Sequence, residues 1–121
     1  MNFVRFVKGR LKSFVYAARG AYILINTEHS VMVQVVVAVA ITIMGFIFKI
    51  SQTEWILQTL AIGLVIGTEG LNTAIEKIAD FIHPDYNDKI GTIKDVAAGA
   101  VFVVAVCAVA IGMMIYLPKF F

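Results

Sequence analysis

Glu69, Asn72, Glu76 and Asp80 recur at spacings of three and four. At about 100° per residue they fall within roughly 80° of one helical face. Three carboxylates and a carboxamide would then share about 16 Å of one helix edge. Clustered hard oxygens suit a divalent cation and the phosphates that accompany it, since Mg²⁺ takes one or two carboxylates and completes its shell with phosphate oxygens and water. Glu69 is the telling member. It would lie about 10 Å deeper than Glu76, within an apolar run, where an unpaired charge costs on the order of 3 kcal/mol. A neutral Glu tying two helices together is the plainer reading. That reading gives no reason for Asn72 and Glu76 to share its face.

Further charge gathers nearby in the sequence. Glu28 precedes one apolar run, and Lys94 with Asp95 precedes another. Carboxylates with an adjacent lysine fit a metal-bound phosphate. Each also has a structural reading: Glu28 as a helix-end carboxylate, Lys94 as a snorkelling lysine, Asp95 as an N-cap. His29 and His83 have no partner at metal-ligand spacing. No GxxxxGK[ST] loop and no kinase glycine loop or HRD sequence occurs, so nucleotide chemistry would run by an unusual route.

The elements that must hold these groups are apolar. Hydrophobic residues form 60% of the 121 and charged residues 15%, against about 25% charged in a soluble domain. The net charge of +2 gives no argument for nucleic acid. Three apolar runs, 31–48, 55–75 and 96–117, approach the length of helix needed for a hydrocarbon core of roughly 30 Å. We expect each to cross a membrane, with Trp55 and Tyr116 near the headgroups. Arg5, Lys8, Arg10, Lys12, Arg19, Lys77, Lys89 and Lys94 lie on one side of this topology, and only Lys49 and Lys119 on the other. This asymmetry predicts a cytoplasmic N-terminus and second connector and an outward C-terminus.

Residues 1–30 read as an amphipathic surface helix. Phe3, Val7, Leu11, Phe14, Ala18, Tyr22 and Ile25 line one face, and Arg5, Lys8, Lys12 and Arg19 the other. Arg10 falls near the apolar stripe, as a snorkelling side chain or a ligand contact. Gly9 and Gly20 are candidate bends. Charges interrupt the N-terminal stretch, so no cleavable signal peptide is expected. Gly63 and Gly67 form a GxxxG pattern on another face of the second span, where close helix contact is expected. The lone cysteine, Cys107, reads as a small buried hydrophobe. Three thin spans cannot easily enclose a lipid and a nucleotide, so an oligomer is expected.

The pattern Glu69, Asn72, Thr73, Ala74, Ile75, Glu76 and Asp80, followed by Lys94-Asp95, resembles the prokaryotic diacylglycerol kinase family, which includes undecaprenol kinases. The resemblance extends over about residues 12–116 and takes in Ser13, Phe14, Tyr16, Gly20 and Glu28. It implies an all-α integral membrane protein of the bacterial inner membrane, one domain over 1–121, with a surface helix, three spans and a homotrimeric assembly. It implies transfer of the ATP γ-phosphoryl group to a lipid alcohol, either diacylglycerol or undecaprenol. Carried over by position, Glu28 and Glu76 would hold Mg²⁺, Glu69 would be the general base and Asn72 would orient the reacting groups. Tyr16, Asp85, Tyr86, Asn87, Lys94 and Asp95 would contact nucleotide together with Glu28 and Glu76. Arg10 with Glu69 would meet the lipid, and Asp80 would support the site. Two departures bear on substrate contacts. Many relatives carry an Arg-rich stretch after Glu28, whereas this chain has Met32 and Gln34; some have Arg where Gly9 stands. The rival reading is a non-enzymatic membrane protein such as a transporter subunit or assembly factor.

Overall fold

The computed structural model describes residues 2–121 and is helical almost throughout. Its elements are α1 (Phe3–Thr27), α2 (His29–Ile47), α3 (Gln52–Ile82) and α4 (Asp88–Phe120). Helix α1 begins where the Asn2 side chain accepts from Val4 N at 3.0 Å. It runs unbroken through Gly9 and Gly20 and buries no residue. The chain turns at Glu28, whose extended backbone (φ −104°, ψ 113°) ends α1 and opens α2.

The α2–α3 turn is specified by local hydrogen bonds. Ile50 N donates to Gly45 O and Lys49 N to Phe46 O, the paired bonds of a Schellman stop. Lys49 takes the left-handed conformation this stop requires, at φ 51°. Ser51 then caps α3 reciprocally with Glu54, a capping box. Gly45 is required here, because a Cβ would lie 2.6 Å from the Trp55 ring. The α3–α4 link spans only residues 83–87, and Asn87 caps α4 through Lys89 N at 2.9 Å.

Helix α3 packs chiefly on α4, with α2 against α3 and α1 against α2. The arrangement is the inverse of a water-soluble core. Gln58, Asn72 and Thr73 are buried, while large apolar side chains along α2 and α4, such as Val36, Phe46, Phe102 and Met114, are exposed. Apolar surface on that scale needs an apolar surrounding. Helices α2 and α4 reach mean hydropathies of 2.4 and 2.7 over eighteen residues, enough to cross a membrane. Helix α3 is not in that class, because Gln58, Thr68, Glu69 and Asn72 interrupt it.

At the end remote from Glu69, Ile50, Ile115 and Tyr116 form the buried knot, flanked by Phe48 and Trp55. Tyr116 is buried against the neighbouring helices. Its hydroxyl donates to Gln58 Oε1 at 2.5 Å and reaches Ile41 O at 3.2 Å. The reason is the buried Gln58 amide, which needs a donor as well as an acceptor. A Cβ added at Gly63 or Gly67 would meet nothing within 4 Å, so these glycines make no close contact within this chain. One expectation is corrected: Cys107 is exposed rather than buried.

Lys119 Nζ closes the knot by donating to Glu54 Oε2 at 2.8 Å and to Ile115 O at 2.9 Å. The Lys119 ammonium, followed by the Ser51 backbone N–H, holds the Glu54 carboxyl below its usual range. A depressed folded pKa stabilises above the unfolded value, about 4.3 for Glu, and that contribution is lost as pH falls through the folded value. The Glu54→Gln variant should therefore melt below the wild type at neutral pH. The gap should narrow only as pH drops under about 4, measured by thermal unfolding in lipid or detergent.

Candidate active site

The polar face of α3 makes four side-chain contacts, three of them with other elements. Farthest from the α3–α4 link, Gln34 Nε2 on α2 donates to Glu69 Oε2 at a long 3.5 Å. One turn on, Asn72 Nδ2 donates to Glu76 Oε1 at 3.2 Å. Lys77 Nζ reaches back to Glu28 Oε1, 3.4 Å away at the α1–α2 break. Lys94 on α4 donates to Asp80, tying the C-terminal end of α3 to the N-terminal part of α4. The spacing of these residues puts them on successive turns of one helix edge, as their sequence pattern requires.

Burial peaks at Asn72 and falls toward Asp80. Asn72 is buried, Glu69 and Glu76 are half-buried, and Asp80 is exposed. Among the described residues, two buried side-chain polar atoms have no hydrogen-bond partner, Asn72 Oδ1 and Gln34 Oε1. Each such atom costs about 1–3 kcal/mol, so a compact fold has reason to avoid them unless another group completes them. Both belong to amides whose nitrogen already serves a carboxylate.

The remaining candidates make no hydrogen bond or ion pair with this edge among the described residues. Tyr16 and Arg10 are exposed on α1, with Arg19 over the Tyr16 ring at 5.9 Å and Arg10 over Phe6 at 5.8 Å. Asp85, Tyr86 and Asn87 form the exposed link between α3 and α4. Asp95 is exposed and sits two turns inside α4; Asn87, not Asp95, is the N-cap. Among the described residues, no three His, Cys, Asp or Glu side chains gather as a protein-built metal cage. Sequence reasoning missed two partners, Lys77 and Gln34. Gln34 had a signal: it is the one strongly polar residue of 31–48, and it meets the one charged residue of 55–75.

Beside Gln34 an apolar groove of about 490 Å³ opens between α2, α3 and α4, lined by Val37, Ile41, Ala61, Val65 and Ala108 among others. A carboxylate edge thus adjoins a hydrocarbon-lined space.

The sequence pattern described as prokaryotic diacylglycerol kinase matches residues 15–116. The chain belongs to this family. Among similar proteins, an undecaprenol kinase of Bacillus subtilis is 42% identical over 108 residues, covering 89% of this chain and 88% of that protein. A diacylglycerol kinase of Synechocystis is 30% identical over 109 residues, covering 89% of this chain and 62% of that protein. The prokaryotic diacylglycerol kinase match encloses every candidate named above except Arg10. Membership in the diacylglycerol kinase family leaves no support for the transporter-subunit or assembly-factor reading.

The orphan oxygen of Asn72 separates function from stability. Asn72→Leu removes an unsatisfied buried acceptor and should leave the melting temperature unchanged or raised, while phosphorylation is lost. If Asn72 were purely structural, the same change would cost about 1 kcal/mol of stability, readable as a lowered melting temperature.

Proposed function

We propose that this protein, an ATP-dependent lipid kinase by family, phosphorylates undecaprenol, giving undecaprenyl phosphate. One observation carries the choice of alcohol. The likeness to the Bacillus undecaprenol kinase is 42% over nearly the full length of both chains, whereas the diacylglycerol kinase match is 30% and spans 62% of that relative. Diacylglycerol is the second reading, supported by the same family.

In this reading the reaction runs along the α3 edge. Glu69 accepts the proton of the lipid hydroxyl, a role worth roughly 10²- to 10⁴-fold in rate. Its depth fits a hydroxyl held near the hydrocarbon boundary, and the adjoining groove fits a long apolar chain. Asn72 orients Glu76 and the transferred group through its amide. Lys94 and Asp95 meet the nucleotide from α4, with Tyr16 and the Asp85, Tyr86, Asn87 link flanking it. Asp80 steadies Lys94.

Mg²⁺ fits the residues present. Glu76 and Glu28 supply carboxylates, and the unpartnered Asn72 Oδ1 is a further hard oxygen beside Glu76. Two carboxylates with phosphate oxygens and water suffice for this ion. When bound it neutralises charge on the phosphates, the principal need in phosphoryl transfer.

The same proposal has α2, α3 and α4 crossing the bacterial inner membrane, spanning 31–48, 55–75 and 96–117, with α1 (within 1–30) on the cytoplasmic surface and the C-terminus outside. The Lys and Arg asymmetry supports this orientation. The whole chain, 1–121, acts as one domain. An oligomer, with sites shared between copies, is supported by how open the edge is in a single chain; the count of three rests on the family resemblance alone.

Purified protein in lipid bilayers with Mg-ATP, offered undecaprenol and diacylglycerol separately, should phosphorylate undecaprenol faster. A faster rate on diacylglycerol would reverse the substrate assignment. Glu69→Gln should lower kcat by roughly 10²-fold or more with assembly intact; unchanged turnover would remove Glu69 as base. Glu76→Gln should raise the Mg²⁺ concentration needed for half-maximal rate, and an unaltered requirement would exclude it as a ligand.

A further inference from the structure

The amide of Gln34 is half engaged. Its Nε2 donates to Glu69 Oε2 at 3.5 Å, while its Oε1 is buried and accepts nothing. Long hydrogen bonds of this kind are common at reacting groups before substrate is bound, and they tighten in the complex. Gln34 also lines the apolar groove beside Glu69, so the pair borders hydrocarbon rather than a polar cavity.

A general base changes its hydrogen-bonding needs during turnover. As a carboxylate, Glu69 only accepts; once protonated, it donates through its new O–H. A fixed donor suits the first state alone, and a fixed acceptor only the second. A primary amide offers both, and its terminal torsion is broad and roughly two-fold, so the ends exchange by a half-turn. The unpartnered oxygen is what such a group shows while Glu69 is ionised.

Resting on the reading of Glu69 as base, we propose that Gln34 is a positioning residue that serves Glu69 in both protonation states. Before transfer, Nε2–H donates to one carboxylate oxygen and leaves the other facing the lipid hydroxyl. The lipid oxygen then bonds to the γ-phosphorus, and the bond from that phosphorus to the β–γ bridging oxygen breaks, its electron pair leaving on ADP. The hydroxyl proton passes to Glu69. Gln34 Oε1 accepts from the resulting carboxylic acid until the proton returns to water. Position 34 thereby acts on the chemical step and not on nucleotide affinity.

The test uses the full chain in bilayers with Mg-ATP and saturating lipid alcohol. Gln34→Met keeps length and removes both hydrogen-bonding ends; an apolar residue here favours membrane insertion, and melting temperature confirms the fold. We expect kcat to fall roughly 10- to 100-fold with the KM for ATP unchanged. Gln34→His, which again pairs one donor with one acceptor, should restore most of that loss, whereas Gln34→Leu should behave as the Met variant. Wild-type kcat in Gln34→Met, or a His variant no better than Leu, overturns the proposal. Glu69→Gln is run alongside. If it is inactive while Gln34→Met is unimpaired, the inference fails and the base assignment stands. If Glu69→Gln is active, the base assignment has failed instead.

Discussion

Polar side chains on α3 have to be satisfied where little water reaches them, and most of the structure follows from that constraint. Gln58, Asn72 and Thr73 are buried while the flanks of α2 and α4 present hydrocarbon outward. In a medium that cannot hydrogen-bond, an inward polar side chain favours a partner from a neighbouring helix, although Asn72 takes Glu76 of its own helix. Gln58 takes Tyr116 from α4 and Ile41 O from α2. Glu69 takes Gln34, and Asp80 takes Lys94. These contacts set which face of α3 looks inward, and therefore which residues can meet.

The two ends of the bundle resolve the constraint differently. Around Tyr116 the amide and hydroxyl groups complete one another, and Lys119 with Glu54 closes the end. Satisfied networks of this kind hold a single arrangement. Around Asn72 and Gln34 the amides are used on their nitrogen side only. Such atoms favour whatever ligand or proton completes them. Rigidity at one end thus supports incompleteness at the other: the α2–α3 turn, fixed by the Schellman stop and by Trp55 over Gly45, holds the helices in register so that the unsatisfied oxygens cannot simply collapse onto new partners.

Much of this was legible in the residues. The three- and four-residue spacing of Glu69, Asn72, Glu76 and Asp80 specifies one face, and no tertiary information is needed to see it. The turn at Glu28 and the stripe of α1 are similarly local. What was not legible depends on partners distant in the chain. The burial of Tyr116 depends on Gln58, 58 residues earlier, whose amide oxygen accepts from its hydroxyl. Asp95 reads as an N-cap because the apolar run starts after it, yet Asn87 starts the helix two turns earlier. Gly63 and Gly67 signal close approach, but the signal does not say to what; within one chain the answer is nothing.

The ionic contacts have a different status from the amide contacts. Glu28 with Lys77 and Asp80 with Lys94 are partly exposed pairs, and pairs of that kind contribute about 0–1 kcal/mol. They hold the charged groups near α3 without committing them. A polyphosphate arriving at this edge offers lysine a more highly charged partner than a single carboxylate, and a divalent cation offers Glu28 the same advantage over Lys77. Exchange of partners therefore costs little at the rim, whereas the buried Asn72 amide, one turn from Glu76 and held by packing, has fewer alternatives. Under the proposed assignment, a site divided in this way admits a nucleotide at its exposed edge and keeps Glu69 at its less exposed end.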